Sequence, residues 1–368
     1  MTIAYSGDSI TFPDNSVQNT AATGFGFKNR IINGAMVIDQ RNAGASVTIS
    51  STAADTYSLD RWCAYGNVTS KFSVQQNAGS VTPPAGFRNY IGVTSLAATS
   101  VGASDQYYVA QYIEGFNTAD LMFGSASAAT VTLSFWVRSS LTGTFGGAVN
   151  NSAVNRSYPF SYTISAANTW EQKTVSITGD TTGTWLTTNG VGLRVHFGLG
   201  VGSTISGTAG AWAGSPFISA TGATSVVGTS GATFYITGVQ LEKGSTATSF
   251  DYRPYGTELL LAQRYYVKLT DSSGASNALG LVQIEGTTTA NFVMPIAMRA
   301  APSGTSSGLT ISDGSVTPTV TSLSNFGNFV NGVGVLLTAS GGGLTIGRAG
   351  RIRIAGSTTA YLDFSSEL

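Results

Sequence analysis

Alternation of apolar and polar residues is the dominant pattern along this chain. The stretch VTLSFWVRSS puts four apolar side chains on one side of an extended strand: Val131, Leu133, Phe135 and Val137. The stretch VGLRVHFGLG repeats the pattern, with Arg194 and His196 on its polar side. Strands with one apolar face each predict two packed antiparallel sheets, because each apolar face needs another to cover it.

The alternation is interrupted at two places. In ATFYITGVQLE the apolar positions slip by one residue at Thr237-Gly238, which predicts a β-bulge. In NFVMPIAMRAAPS the apolar run contains Pro295, which cannot donate to a sheet. That position therefore predicts an edge strand or a bulge.

One short segment between the strand patterns favours a helix. Pro254 and Gly256 are expected to end regular structure after the last strand, and Thr257 could cap one or two turns of TELLLAQ. We interpret this charged, compact segment as a domain boundary. The chain then has three predicted parts: a short β segment of two small strands at most (1–25), a β-sandwich (26–256) and a smaller β-rich C-terminal domain (257–368).

Composition supports an all-β fold. The chain has 46 glycines among 368 residues, only 10% charged residues and 42% hydrophobic residues. The hydrophobic content is too high for a disordered chain, and the glycines suit tight turns between short strands. We expect a jelly-roll β-sandwich followed by the smaller β-rich domain.

Charge and hydropathy exclude several partners. Lys and Arg total 18, as do Asp and Glu, so nothing favours a nucleic acid or an anionic membrane surface. No apolar run approaches the roughly 20 residues of a membrane span, so no membrane insertion is expected. The first residues, MTIAYSGDSITF, lack the basic and apolar regions of a signal peptide.

A series of phrases in fixed order resembles a module of bacteriophage tail fibres and related virion proteins. It begins with GFKNRIINGAMVIDQRNAG and SLDRWCAY, and continues through YIEGFNTADL and NRSYPFSYTI to VQLEKGSTATSFDYRPYG. The resemblance covers roughly residues 26–266. The strand containing SFW and the strand VQLEKG are also similar to those of carbohydrate-binding jelly rolls found beside bacterial glycosidases.

This resemblance implies a jelly roll carried on a phage particle, made in the host cytoplasm. SITFPDNSVQNTAA is similar to short segments of trimeric fibres, which implies a homotrimer attached to other tail or virion proteins. NFVMPIAMRAAPS and LDFSSEL resemble the distal module of such proteins. The implied external partner is a bacterial surface polysaccharide or lipopolysaccharide.

The carboxylates and the single histidine give no catalytic assignment. Asp39 lies close to Arg41 and Asp60 precedes Arg61, which predicts ion pairs and turn caps at the sandwich rim. His196 is the one histidine, and no serine has the surroundings of a nucleophile elbow, so we expect no enzyme.

No cofactor is expected either. Cys63 is the one cysteine and reads as a buried strand residue, so a cysteine zinc site is excluded. A metal assignment stays unknown, because a structural calcium ion held by backbone carbonyls leaves no sequence trace.

Rings and polar groups that could contact a glycan occur in three regions. Trp185 and Trp212 lie in Gly- and Thr-rich loops, where ligand contact and simple loop anchoring are equally compatible with the sequence. The second region, YYVAQY, contains three tyrosines. The third is a polar face that the strand with Arg194 and His196 could share with the strand that contains Arg138. The alternative for this third region is a partly exposed sheet face or a subunit contact without a ligand. The full candidate set is Tyr107, Tyr108, Tyr112, Arg138, Trp185, Arg194, His196 and Trp212.

The sequence thus favours a tail fibre that adheres to the host surface without catalysis. Two alternatives stay open at this stage. The same sandwich could belong to a capsid-attached fibre or decoration protein, and a depolymerase would need a pair of carboxylates in a groove.

Overall fold

The computed structural model describes residues 27–50, 53–270, 278–329, 332–354 and 359–368, together with the backbone of three short strands near the start of the chain. Those strands pair antiparallel in one small sheet: β1 (Ala4–Ser6), β2 (Ser9–Thr11) and β3 (Val17–Gln18). The expectation of two strands at most was therefore wrong by one strand. The predicted Pro13-Asp14-Asn15 turn lies outside the described residues.

The next strands build a β-sandwich. In chain order they are β4 (Val47–Thr48), β5 (Thr56–Leu59), β6 (Trp62–Gly66), β7 (Phe72–Gln76), β8 (Ile91–Ser95), β9 (Gln106–Glu114), β10 (Val131–Ser139), β11 (Gly143–Asn150), β12 (Ser157–Ile164), β13 (Glu171–Ile177), β14 (Val191–Val201), β15 (Ser206–Gly207), β16 (Ser219–Ala220) and β17 (Thr233–Lys243). Short 3-10 turns occur at Ala78–Ser80, Gly115–Asn117 and Ala119–Leu121.

These strands form two six-stranded antiparallel sheets. Sheet I has the order β13-β10-β17-β8-β7-β4, and sheet II has the order β12-β11-β14-β9-β6-β5. Strands β12 and β13 are adjacent in sequence but lie in opposite sheets, so the chain crosses from one layer to the other. This two-layer arrangement confirms the expected all-β, jelly-roll class.

The core between the two sheets follows the alternation in the sequence. The four predicted inward residues of β10 are fully buried, and the ring of Phe135 meets that of Phe197 edge-on, with centroids 5.1 Å apart. Burying side chains of this size contributes about 2 kcal/mol each. The β-bulge is confirmed: between Ser134 and Trp136 the partner strand β17 contains an extra residue, and Gly238 has φ +60°. A side chain at Gly238 would meet the ring of Phe87 at 2.6 Å.

A single described helix, α1 (Tyr255–Gln263), follows the sandwich. The sequence prediction put the N-cap of this helix at Thr257, three residues late. Pro254 is the N-cap, where its missing N–H costs nothing, so Pro254 starts the helix instead of only ending the strand. Within the described part of the chain, no helix combines the length and apolarity that a membrane crossing requires.

The remaining strands pack around a second hydrophobic core. They are β18 (Tyr266–Thr270), β19 (Ala278–Ile284), β20 (Thr289–Met294), β21 (Ser303–Ser307), β22 (Leu309–Ser312), β23 (Val320–Phe329), β24 (Gly332–Ala339), β25 (Ala349–Ile354) and β26 (Tyr361–Ser365). A six-stranded sheet, β22-β25-β19-β20-β24-β23, covers a three-stranded sheet, β18-β26-β21.

Pro295 was predicted to lie in an edge strand or at a bulge, and this prediction was wrong. It follows the last residue of β20, and β20 is an internal strand between β19 and β24. Pro295 therefore ends a central strand, where no ladder donor is needed. The boundary between 256 and 257 stays a prediction; α1 separates the end of β17 from the start of β18.

Candidate functional site

The outer face of sheet II brings four of the predicted residues together. Along β9, Tyr107 and Val109 point into the core, so Tyr108 and Tyr112 point outward. On the neighbouring strand β14, Arg194 pairs with Tyr112 in the strand register, and His196 lies two residues further on. The face therefore combines phenol rings, a guanidinium and an imidazole.

Asp55 holds the two outward tyrosines in place. The Tyr108 hydroxyl donates to Oδ1 of Asp55 at 2.8 Å, and the Tyr112 hydroxyl donates to Oδ2 at 2.5 Å. Burial is the main cause that raises the pKa of both phenols above the usual value, and the nearby Asp55 carboxylate adds to it. Both phenols therefore stay protonated and act as donors. Tyr65 stacks on Tyr108 with ring centroids 5.6 Å apart.

His196 is buried, contrary to the expected partly exposed position. Its ring lies edge-on to Tyr108 with centroids 4.8 Å apart, and Nδ1 is 3.0 Å from Oδ1 of Asn150. The amide of Asn150 donates to the carbonyl of Phe217, so its Oδ1 is free to accept from His196. Burial, with the charge of Arg194, lowers the pKa of His196 to about 3. The imidazole is therefore neutral at physiological pH and has a packing role.

Arg194 is the cation of this group of four residues and is partly exposed. Its guanidinium lies over the ring of Tyr112 at 4.7 Å and donates to the carbonyl of Ser152 at 2.9 Å. Its Nε is buried and makes no hydrogen bond in the described part of the chain. A cation on an aromatic face contributes up to about 2 kcal/mol when it is shielded from water.

A two-stranded ribbon lies on the outer face of sheet II. Strands β15 and β16 pair with each other, and Ser219 of this ribbon lies on the sheet opposite two glycines. A side chain at Gly146 would meet the Ser219 hydroxyl at 2.5 Å, and one at Gly198 would meet it at 2.8 Å. Glycine at these positions allows the ribbon to approach the backbone of sheet II.

At the Asp55 end, the sandwich and the C-terminal strands form an open pocket of about 620 Å³, which we call the junction pocket. Most of its lining can hydrogen-bond: two carboxylates, four hydroxyls and one guanidinium. These groups belong to Asp55, Tyr57, Arg299, Ser303, Ser365, Ser366 and Glu367. Such a lining can bind a hydroxyl-rich ligand through several directed hydrogen bonds at once.

A buried ionic network holds the two walls of the junction pocket together. The carboxylate of Glu367 accepts from both Arg41 and Arg61. Arg299 donates to the carbonyls of Ser366 and Glu367, and also to that of Asn189 in the sandwich. The pocket therefore exists only while the two parts of the chain are docked.

These contacts correct two of the predicted ion pairs. Asp39 accepts from the backbone amides of Asn42 and Gly44, which confirms a turn cap but gives Arg41 no local carboxylate. Asp60 accepts from Gln40, while Arg61 points to Glu367 and to the carbonyl of Tyr112. The sequence suggested local pairs because it shows neighbours along the chain only.

The other predicted residues lie elsewhere. Tyr107 packs in the core against Phe72. Arg138 belongs to sheet I, where it donates to the carbonyl of Asn168. Trp185 and Trp212 are half-buried and stack edge-on with centroids 5.4 Å apart.

Both tryptophans are held by hydrogen bonds to loop carbonyls. Their indole N–H groups donate to the carbonyls of Thr182 and Thr178. This geometry is that of loop anchors. In the described ranges, no group of three or more His, Cys, Asp or Glu side chains is placed to bind a metal ion.

The sequence reasoning missed Tyr65 on the outer face of sheet II and the residues that give the junction pocket its chemistry. Tyr65 follows Cys63 by two residues, so the alternation of β6 could have placed both on the outer face. Asp55 directly precedes β5, Tyr57 is the second residue of β5, and neither belongs to a recognisable sequence motif. Arg299 follows β20 in an irregular segment, and nothing in its sequence context predicts a partner in the sandwich.

No protein-family model matches the sequence, and no curated protein matches it. Among solved structures, one match is the tailspike protein 4 enzymatically active domain of bacteriophage CBA120, with 11% identity and a TM-score of 0.32. It aligns with 59% of this chain and 21% of the tailspike chain. This chain therefore spans about a fifth of that protein.

Two further matches are sugar-binding proteins. A putative sugar-binding protein from Bacteroides thetaiotaomicron has 13% identity over 59% of this chain and all of its own, with a TM-score of 0.34. TmCBM61, solved with β-1,4-galactotriose, has 9% identity over 59% of this chain and 99% of its own, with a TM-score of 0.30. Likenesses this distant transfer no ligand and no activity to this chain.

Proposed function

We propose that this chain is a structural phage virion protein, a tail fibre that binds a bacterial surface glycan without catalysis. The order of the tail-fibre phrases over residues 26–266 supports the virion setting. The observation that carries glycan binding is the junction pocket, where Asp55, Tyr57 and Arg299 line one oxygen-rich cavity.

The pocket suits a saccharide for two reasons. Its volume of about 620 Å³ is in the range of ligand sites and large enough for several sugar rings. Its half-exposed groups, Asp55 and Tyr57, offer an acceptor and an aromatic face, the two features that bind sugar hydroxyls and C–H surfaces.

The arrangement favours binding over hydrolysis. A glycosidase needs a carboxylic acid that can give a proton and a second carboxylate opposite it. In the junction pocket the carboxylate of Glu367 is engaged by two arginines, and Asp55 is engaged by two tyrosine hydroxyls. Neither group is set up as a proton donor to a leaving group.

Adhesion by such a site gains from multiple copies. We propose a homotrimer in which residues 1–25 attach the protein to the particle and help to join the chains. Three weak contacts on one rigid particle bind a repetitive polysaccharide with an avidity well above that of one contact. The balanced charge of the chain, 18 cationic and 18 acidic residues, is compatible with a neutral polysaccharide.

The test of the pocket uses immobilised bacterial capsular and O-antigen polysaccharides with the purified full-length chain. Ser303→Trp places a large ring in the pocket from an exposed position of β21. We expect it to weaken binding at least tenfold. Ser307→Trp, at an exposed position of the same strand outside the pocket lining, is the matched control and should bind as the parent does.

Equal binding by the parent and Ser303→Trp would contradict the pocket as the site. Shortening of a polysaccharide by the purified chain would contradict adhesion without catalysis. The assembly is tested by light scattering on the full chain and on a chain lacking residues 1–25. A mass of three chains that falls on truncation supports the trimer, and a monomer at micromolar concentration contradicts it.

A further inference from the structure

The outer face of the larger C-terminal sheet carries a groove that is separate from the junction pocket. The groove crosses β25, β19, β20, β24 and β23, and its volume is about 540 Å³. Neighbouring strands lie roughly 5 Å apart, so five strands give the groove a length of roughly 20 Å. Such a length suits an extended ligand of several units.

Two glycines keep the floor of the groove open. Gly327 of β23 pairs with Gly334 of β24, and Gly334 pairs in turn with Val293 of β20. Neither glycine raises a side chain above the sheet, so a ligand can approach the backbone beside Val293.

The walls combine apolar surface with amide groups. Leu281 is 73% exposed and Val293 is 60% exposed, although both lie in central strands where a core role would be ordinary. Beside them on the same face, Gln283 and Asn291 are paired across β19 and β20. Exposed methyl groups beside amide donors and acceptors match the two faces of a sugar ring, one of C–H groups and one of hydroxyls.

The charge on this face is predominantly positive. Arg348 is exposed and lines the groove, and Arg351 is exposed and pairs across from Leu281. Glu285 follows Gln283 by two residues on the same face, and its carboxylate accepts from the amide of Asn291. Arg348 also donates to the carbonyl of Asp313 at 3.4 Å, and Arg351 lies beside the groove on the face of Leu281. Two cations and one internally bonded acid on this face favour an anionic ligand.

We propose that this groove is a second binding site, for an oligosaccharide whose units carry an anionic group, either a carboxylate or a phosphate. The apolar walls pack against the sugar rings, the amides bond the hydroxyls, and Arg348 and Arg351 pair with the anionic groups. The site uses none of the residues of the junction pocket.

The test measures binding of defined saccharides to the full-length chain by calorimetry. The carboxylate probe is α-1,4-tetragalacturonate, with its fully methyl-esterified form as the neutral control. The phosphate probe is mannose 6-phosphate, with mannose as its neutral control. We expect at least one anionic probe to bind at least tenfold more tightly than its control, and the probe that does so identifies the anionic group.

Two variants and two controls locate the site. Arg348→Ala with Arg351→Ala should weaken the anionic probe at least tenfold, and Leu281→Asp should do the same by repulsion from an exposed position that the fold does not need. Arg88→Ala removes one charge from an exposed site in the sandwich and should leave binding unchanged. Ser303→Trp should also leave it unchanged, which separates this site from the junction pocket.

Several results would overturn the proposal. The proposal is wrong if neither anionic probe binds, or if charged and neutral probes bind equally. It is also wrong if the double arginine variant binds the anionic probe as the parent does. A concentration-dependent mass that Leu281→Asp abolishes, without saccharide binding, would assign the groove to contacts between copies of the chain.

Discussion

Arg61 and Glu367 form an ion pair between residues 306 positions apart, and both side chains are almost fully buried. Glu367 also accepts from Arg41, and the guanidinium of Arg61 lies 3.6 Å from the ring centroid of Tyr265. The pair joins the edge of the sandwich to the segment that follows β26. It therefore decides whether the junction pocket is present.

Glu367→Ala should destabilise the protein by about 3 kcal/mol, because it leaves two arginines buried without their carboxylate. Urea denaturation monitored by tryptophan fluorescence measures the change. Glu285→Ala, which removes an exposed carboxylate, is the control and should change stability by less than about 0.5 kcal/mol. Similar losses in the two variants would show that the buried pair contributes little.

The buried His196 should make stability fall at acid pH. Its pKa is lowered to about 3 by burial and Arg194, whereas the unfolded chain takes up the proton near pH 6.5. Protons then bind the unfolded state first, so stability is lost as pH falls from about 6.5 towards 3, by on the order of 4 kcal/mol. His196→Gln should flatten this part of the stability curve.

A direct measurement is available because the chain has one histidine. Its ring resonances should not titrate between pH 7 and pH 4. A midpoint near 6.5 in the folded protein would mean that the imidazole is hydrated and not enclosed by Tyr108 and Asn150.

Gly146→Ala should lift the β15–β16 ribbon from sheet II. The added methyl group would meet the Ser219 hydroxyl at 2.5 Å and the backbone nitrogen of Ala220 at 2.9 Å, and this overpacking costs about 1–3 kcal/mol. The Ile218 amide, which donates to the Ile205 carbonyl at 2.8 Å, should exchange faster in hydrogen-exchange measurements.

Gly214→Ala is the control for that change. The nearest atom to the added methyl group is 3.9 Å away, so the exchange rate of the ribbon should not change. Equal exchange in both variants would contradict close packing of the ribbon on the sheet.

Gly256→Ala should stabilise the protein by about 0.5 kcal/mol. Gly256 lies in α1, nothing is within 4 Å of the added methyl group, and alanine has the higher helix propensity. Gly244→Ala is the contrasting change, since it also meets no atom but has φ +124°, and it should be destabilising. Thermal unfolding of the two variants gives opposite shifts if helix propensity and backbone strain are the deciding effects.

The strands of the sandwich could be predicted well because burial follows a period of two. Val131 and Phe135 are buried as their spacing requires, and the slip at Gly238 marks the bulge. The start of α1 was missed because Pro254 serves both as a strand breaker and as an N-cap. The burial of His196 was missed because Tyr108 and Asn150, which contact its ring, come from distant parts of the chain.

The sequence alone determined the fold class and which face of each strand is apolar, since these depend on residues two positions apart. Only the tertiary structure decided which polar residues meet. Asp55 reaches Tyr108 and Tyr112 by strand pairing in sheet II, and Arg61 reaches Glu367 by docking of the C-terminal strands. Neither contact has a local signal, because charged and aromatic side chains at a sheet edge can pair with any strand that the fold brings near.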